Sequence, residues 1–182
     1  MMLVESTVHV RTMTLDDLSD VLAIDRLSFP IPWSERSYRH ELLSNPVSHL
    51  LVADDHCENH IALVGYVGFW FIVDEMHIST LAVHPRHRRM GIGTRLLAEA
   101  LDRGREMGGV VATLEVRRSN QAAVRMYKNF GFEIVGRRAN YYRDNSEDAW
   151  LMTLDPLEPI QAAAGGGGTW VRRRNSGQSP PR

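Results

Sequence analysis

The hydrophobic period changes abruptly at Gly93, and that change restricts the architectures open to this chain. Ahead of it, "HISTLAV" alternates as a strand. Behind it, Leu96, Leu97, Ala100, Leu101 and Met107 recur at helical spacing, and Gly108-Gly109 ends the helix. A continuous apolar run follows, "VVATLEV", which reads as a strand buried on both faces and broken only by Glu115. Asn120 then caps a further helix through Phe130, closed by Gly131.

The remaining elements can be placed around this unit. "VHVRTM" reads as a first strand, and Thr14 caps a helix with Asp17 as a short capping box and Leu18, Val21, Leu22 and Leu27 on its apolar side. Pro30 and Pro32 break that helix, and Ser34 caps a second, "ERSYRHELL", that stops before Pro46. "SHLLVAD" and "IALVGYVGFWFIV" read as strands joined by a polar turn, "DDHCENH", while "FEIVGRR" and "AWLMTL" supply two closing strands. The order β-α-α-β-β-β-α-β-α-β-β predicts an α/β fold: a mixed central sheet with helices on both faces.

At 182 residues and 43% hydrophobic, the chain has material for one core, expected over residues 8–155. Residues 156–182, rich in Gly and Arg, are expected to be a disordered tail. They carry four arginines and Glu158, a net +3, so the overall −1 leaves −4 on the remainder. That balance argues against specific nucleic-acid binding by the body; Trp170 beside Arg172 to Arg174 leaves room for a weak tail contact with RNA. No apolar run reaches the length of a membrane span, the first residues lack a signal-peptide pattern, and Cys57 is the single cysteine. A cytoplasmic protein without disulfides or membrane contact is expected.

Chemistry concentrates in "LAVHPRHRRMGIGTRLLAEAL". A P-loop would need Gly-Lys-Ser/Thr, and a dinucleotide fingerprint would need a small residue where Leu96 stands. Gly91 and Gly93 instead allow close backbone approach, helix N–H groups face the ligand, and Arg88 and Arg89 add charge. The construction suits a pyrophosphate; a basic surface loop is the alternative. Glu115 suits a general base with a raised pKa, or else a strand end paired with Arg117 or Arg118. Tyr127 reads first as a helix core residue, with a hydroxyl able to donate a proton to a leaving thiolate as the other reading. Asp54, His56, Cys57 and His60 are better explained by turn chemistry than by a metal site, and no metal is expected.

These residues carry a resemblance. "RHRRMGIG" resembles the pyrophosphate loop of the GNAT superfamily of acetyl-coenzyme A N-acetyltransferases. "LEVRRSNQAAVRMYKNFGF", "GRRANYY", "EDAWLMTL" and "FPIPWSERSYRHEL" are similar to its RimI branch, over about residues 8–155. The resemblance implies a GNAT fold whose sheet splays between the fourth and fifth strands, with the thioester in the gap. It implies that Arg88, Arg89, Gly91, Ile92, Gly93 and Thr94 hold the pyrophosphate. Leu81, Ala82 and Val83 would line the pantetheine arm, and Asn120 would bond it. Glu115 matches the family's general base and Tyr127 its general acid; Trp33, Tyr141 and Tyr142 would be substrate-binding walls. Thr80 stands where that branch often carries asparagine, so a substrate contact by that amide is not expected here.

The implied reaction is acetyl transfer from acetyl-coenzyme A to the amino-terminal alanine of a small-subunit ribosomal protein, by direct attack in a ternary complex. Cys57, in its polar turn, has no expected part in a covalent route. Alternatives are a broader amino-terminal or lysine acetyltransferase, a small-amine enzyme, or a non-catalytic coenzyme A-binding module.

Overall fold

In the computed structural model the described residues are 7–57 and 60–157. Seven strands form a single sheet: β1 (Thr7–Thr12), β2 (Ser48–Cys57), β3 (His60–Ile72), β4 (Glu75–Val83), β5 (Val111–Arg117), β6 (Glu133–Tyr142) and β7 (Glu147–Leu154). Four α-helices interleave with them: α1 (Leu18–Ser28), α2 (Glu35–Leu43), α3 (Ile92–Glu106) and α4 (Gln121–Asn129). The strand order is β1-β2-β3-β4-β5-β7-β6. Neighbours run antiparallel except β4 and β5, which the α3 crossover makes parallel.

Each face of the sheet is covered. On one, Leu96, Leu97, Ala100 and Leu101 of α3 and Val124 and Tyr127 of α4 pack on Val67, Phe69, Met76, Ile78, Leu114 and Met152. On the other, Leu18, Val21, Leu22 and Ile24 of α1 and Tyr38 of α2 pack on Leu50, Val52, Tyr66 and Ala82. Each fully buried Leu or Ile contributes roughly 1.5–3 kcal/mol of transfer free energy, so α3 alone anchors the first layer strongly.

The β4–β5 ladder joins Glu75–Ile78 to Val111–Leu114 and stops there, while Glu115 to Arg117 continue pairing with β7. The cause is local. The β3–β4 register shifts between Gly68 and Phe69, whose partners are Thr80 and Ile78, so Ser79 is an extra residue. A bulge bends its strand. The bend begins where pairing with β5 ends, and the sheet splays between the fourth and fifth strands, as expected.

Several local expectations are corrected. The first helix is preceded by a 3-10 turn, Leu15–Asp17, in which the Asp17 carboxylate accepts from the Thr14 N–H at 2.7 Å and its hydroxyl at 3.0 Å. Leu27 is 57% exposed, because α1 turns Ile24 and Asp25 inward instead. Met107 lies past the last turn of α3 and is exposed. Asp54 and Asp55 belong to β2 rather than a turn and are buried; Asp54 accepts from Arg11 Nε at 2.6 Å. β5 is not fully buried on both faces: Ala112, Leu114 and Val116 are buried, and Val111, Thr113, Glu115 and Arg117 face the other side, only partly buried. Leu157, two residues past the expected boundary, is buried in the core. From residue 158 the Gly- and Arg-rich stretch lies outside the described residues.

Candidate active site

The turn between β4 and α3 has the shape its glycines require. Gly91 caps α3 with φ 79°, and Arg89 is also left-handed at φ 68°. A residue with a side chain is strained in that region. A Cβ added at Gly91 would have no atom within 4 Å, which leaves the backbone open to a ligand; one at Gly93 would face Met126, Val83 and Leu81 at 3.4–3.7 Å. The N–H groups of the first turn, Ile92, Gly93 and Thr94 among them, have no acceptor within the helix, and the dipole favours an anion there. Arg88 is less available than its position suggests. Its Nε donates to the Val83 carbonyl at 3.0 Å and a terminal nitrogen to Ser28 Oγ at 3.2 Å, so it staples β4 to α1.

Leu81, Ala82 and Val83 pair with Val67, Tyr66 and Gly65 of β3, and beyond the bulge their other edge has no β5 partner. That free edge starts at the turn just described. Asn120 is exposed and caps α4, accepting from the Ala123 N–H through Oδ1 at 3.1 Å; among the described residues its amide nitrogen has no hydrogen-bond acceptor.

Glu115 faces the α1/α2 side of the splay with its side chain 12% exposed. His77 Nε2 lies 3.2 Å from one carboxylate oxygen and an Arg138 nitrogen 2.8 Å from the other. The expected raised pKa is therefore overturned. The His77 hydrogen bond holds the carboxyl below its ordinary range, burial opposes this, and Arg138 adds to the lowering. The expected alternative partners are engaged elsewhere: Arg117 with Asp144 and Glu147, and Arg118 with Asp148. With Nε2–H donating to Glu115, His77 Nδ1 accepts from the Thr113 hydroxyl at 3.0 Å. The imidazole stacks on Trp70 at 5.7 Å between centroids. Trp70 and Trp33 wall an open cavity of about 500 Å³, with Arg36, His40 and Glu41 of α2 around it.

Tyr127 is 7% exposed and packs edge-on against Phe132, so it is a core residue as well as a candidate acid. Burial, with the neighbouring Tyr142, pushes its hydroxyl well above the ordinary tyrosine range, so it stays protonated at every physiological pH. Tyr142 is half-buried under the Arg117 guanidinium, 3.8 Å above its ring, and burial pushes its hydroxyl up to about 12. Tyr142 lies within electrostatic reach of both Tyr127 and Glu115, which project from opposite faces of the sheet. Tyr141 is 40% exposed, edge-on to Tyr142 and beneath Arg138 at 4.8 Å. Among the described residues no cluster of three or more His, Cys, Asp and Glu side chains could hold a metal ion, and no helix is long and apolar enough to cross a membrane.

Residues 18–132 match the Acetyltransferase (GNAT) family. The chain belongs to that family. Acetyl-coenzyme A is accordingly its co-substrate, and the open cap at Gly91 beside the free β4 edge fits such a ligand. Similar proteins fall in the RimI branch. The chain is 39% identical to the N-alpha-acetyltransferase RimI of Mycobacterium tuberculosis, over 70% of this chain and 78% of that one. It is 30% identical to the ribosomal protein bS18-alanine N-acetyltransferase of Salmonella typhimurium, over 80% and 95%. The crystal structure of the corresponding Escherichia coli enzyme superposes with a TM-score of 0.73 at 25% identity, covering 87% of this chain and all of that one.

Within this GNAT site, sequence reasoning missed His77 and Arg138, while Trp70 reads from its strand position as core and wall. Trp70 and His77 are partners in the β3–β4 register, and His77 stands beside Thr113 in the parallel ladder. The strand alternation held that signal, but the register across three strands did not follow from the period alone. The structure brings Trp33, Glu115, Tyr141 and Tyr142 towards one side of the splay through Trp70, His77 and Arg138. Cys57 lies at the end of β2, with its side chain outside the description.

Proposed function

We propose that this chain transfers the acetyl group of acetyl-coenzyme A to the α-amine of a protein amino terminus, and that the acceptor is the first alanine of a small-subunit ribosomal protein. The observation that carries this reading is the placement of Glu115. Its carboxylate faces the open splay and connects through His77 to Trp70, which with Trp33 walls a cavity that Glu115 itself does not line. The Glu41 carboxylate there already accepts from Trp70 Nε1 at 2.8 Å and Asn45 at 2.9 Å, with Arg36 and His40 alongside. Such walls suit a peptide better than a polycationic small amine. The names of the relatives favour the ribosomal acceptor over an internal lysine. The reading assigns the activity to residues 8–155, acting in the cytoplasm.

In this mechanism the α3 amino terminus and Arg89 hold the pyrophosphate through Gly91, Ile92, Gly93 and Thr94, and Leu81 to Val83 align the pantetheine arm. Glu115 is ionised at neutral pH and holds the acceptor's ammonium, which loses one proton to solvent water before its freed lone pair attacks the thioester carbonyl. A carboxylate with a lowered pKa is a weak base, but the amine becomes strongly acidic as its nitrogen bonds to the acetyl carbon. Glu115 then takes the proton directly or through a water. A strand N–H near Val83 stabilises the oxyanion. Tyr127, protonated when the step begins, donates to the leaving thiolate and afterwards regains a proton from solvent. Transfer is direct, without a covalent enzyme intermediate.

Free-thiol release with three acceptors tests the assignment: a peptide beginning with alanine, the same peptide amino-terminally blocked but carrying an internal lysine, and a polyamine. Turnover is expected with the first alone. Turnover confined to the lysine peptide or the polyamine discards the acceptor. Ping-pong kinetics discard direct transfer.

A further inference from the structure

Asp25 is a buried carboxylate that the mechanism leaves unused. It is 1% exposed in the last turns of α1, and among the described residues no arginine, lysine or histidine pairs with it. Burying an unpaired charge is costly unless donors surround it. Three do. One oxygen accepts from the Tyr38 hydroxyl at 3.0 Å and from the Tyr66 hydroxyl; the other accepts from the Trp33 N–H at 2.6 Å. Tyr38 and Tyr66 are both fully buried, and their hydroxyl oxygens lie 3.0 Å apart.

The three donors come from three places. Tyr38 is on α2, and Trp33 is in the segment Phe29 to Ser34 between the helices. Tyr66 lies on β3 opposite Ala82 of β4, inside the stretch that borders the splay. In "FPIPWS" the two prolines have no N–H, and the Phe29 N–H closes α1 on the Asp25 carbonyl at 2.9 Å. The Trp33 N–H on the Asp25 carboxylate is thus the fixing point of this segment's far end. Asp25 ties the Trp33 wall to the strands along the donor edge.

We propose that Asp25 is a positioning residue for the acceptor: its carboxylate fixes the Phe29–Ser34 segment at a set distance from the Leu81–Val83 edge. The inference rests on Trp33 being an acceptor wall.

The test uses the full chain, acetyl-coenzyme A and a peptide beginning with alanine. In Asp25→Ala, amide exchange at Trp33 should speed up while β2 and β3 amides are unchanged. KM for the peptide should rise roughly tenfold, the scale of one charge-assisted hydrogen bond. The kcat and the Kd for acetyl-coenzyme A should stay within about twofold, a difference below half a kcal/mol and so below one ordinary hydrogen bond. Tyr66→Phe removes one donor but keeps the ring; it should give the same pattern more weakly, and it decides the matter if Asp25→Ala does not fold. A uniform fall in kcat, peptide binding and coenzyme binding in Tyr66→Phe marks a merely structural network and overturns the proposal. Trp33→Ala separates the two layers. If it raises peptide KM while the Asp25 and Tyr66 variants do not, positioning fails and the wall stands. If Trp33→Ala leaves peptide KM unchanged, the wall itself fails and takes the proposal with it.

Discussion

The donor and acceptor sides of the splay are made of different material. On the donor side the working groups are main chain: the free edge of Leu81–Val83, the left-handed cap at Gly91 and the first N–H groups of α3. On the acceptor side they are side chains gathered from separate elements, with Trp33 ahead of α2, Trp70 on β3, His77 on β4, Glu115 on β5 and Arg138 on β6. A backbone-built site needs little from the surrounding sequence beyond glycine and a helix start, so one short stretch encodes it. A side-chain site exists only once register has been set across five strands, from β3 through β4, β5 and β7 to β6. The two halves should therefore answer differently to substitution: the donor half through backbone conformation, the acceptor half through charge.

The largest effect is expected on the acceptor side. Glu115→Gln keeps the size of the side chain and removes its charge, and kcat should fall by about 10²- to 10⁴-fold. Acetyl-coenzyme A binding, measured by calorimetry, should be unchanged, because the pyrophosphate turn does not touch Glu115. A matching loss of coenzyme affinity would merge the two halves and break the comparison. The next effect is on the donor side. Gly91→Val forces a β-branched residue to φ 79°, and KM for acetyl-coenzyme A should rise about tenfold or more, with peptide KM unmoved. A smaller contrast follows from the two arginines. Arg89→Ala should weaken coenzyme binding several-fold in a salt-dependent way. Arg88→Ala should change it less, since Arg88 is occupied with Val83 and Ser28. The reverse order would return Arg88 to the pyrophosphate.

This division explains what was legible beforehand. The element order followed from the alternation of strand and helix periods, and the cap of α4 at Asn120 from a residue type with one good use there. β5 is masked in the sequence because Val110 extends its apolar run; the strand itself alternates, and Glu115 stands on its wetter face. The sign of the pKa shift turns on that difference, since burial among valines would raise the carboxyl whereas His77 and Arg138 lower it. Neither partner lies within 20 residues of Glu115 in the sequence, so no local pattern could name them. The same holds for Asp25, which reads as one polar residue on an amphipathic helix until Tyr38, Tyr66 and the Trp33 N–H converge on it.

The smallest expected effect separates charge from packing at Glu115. Because the folded carboxyl titrates below its reference value of 4.5, the native state binds fewer protons than the unfolded chain around that pH. The contribution of the charge to stability is then fully present above the unfolded value and is lost as pH falls through the folded one. The pairs are partly solvated, with Arg138 53% exposed, so screening keeps the contribution small. A Tm difference of about 2 °C or less between the wild type and Glu115→Gln is expected at pH 7. It should shrink steadily as the solution is taken below pH 4.5. His77→Gln should reduce the same difference at pH 7 by removing the largest cause of the lowered pKa. A gap that stays constant with pH would mean that Glu115 acts on the fold through its packing, and the acceptor side would then owe less to charge than its geometry argues.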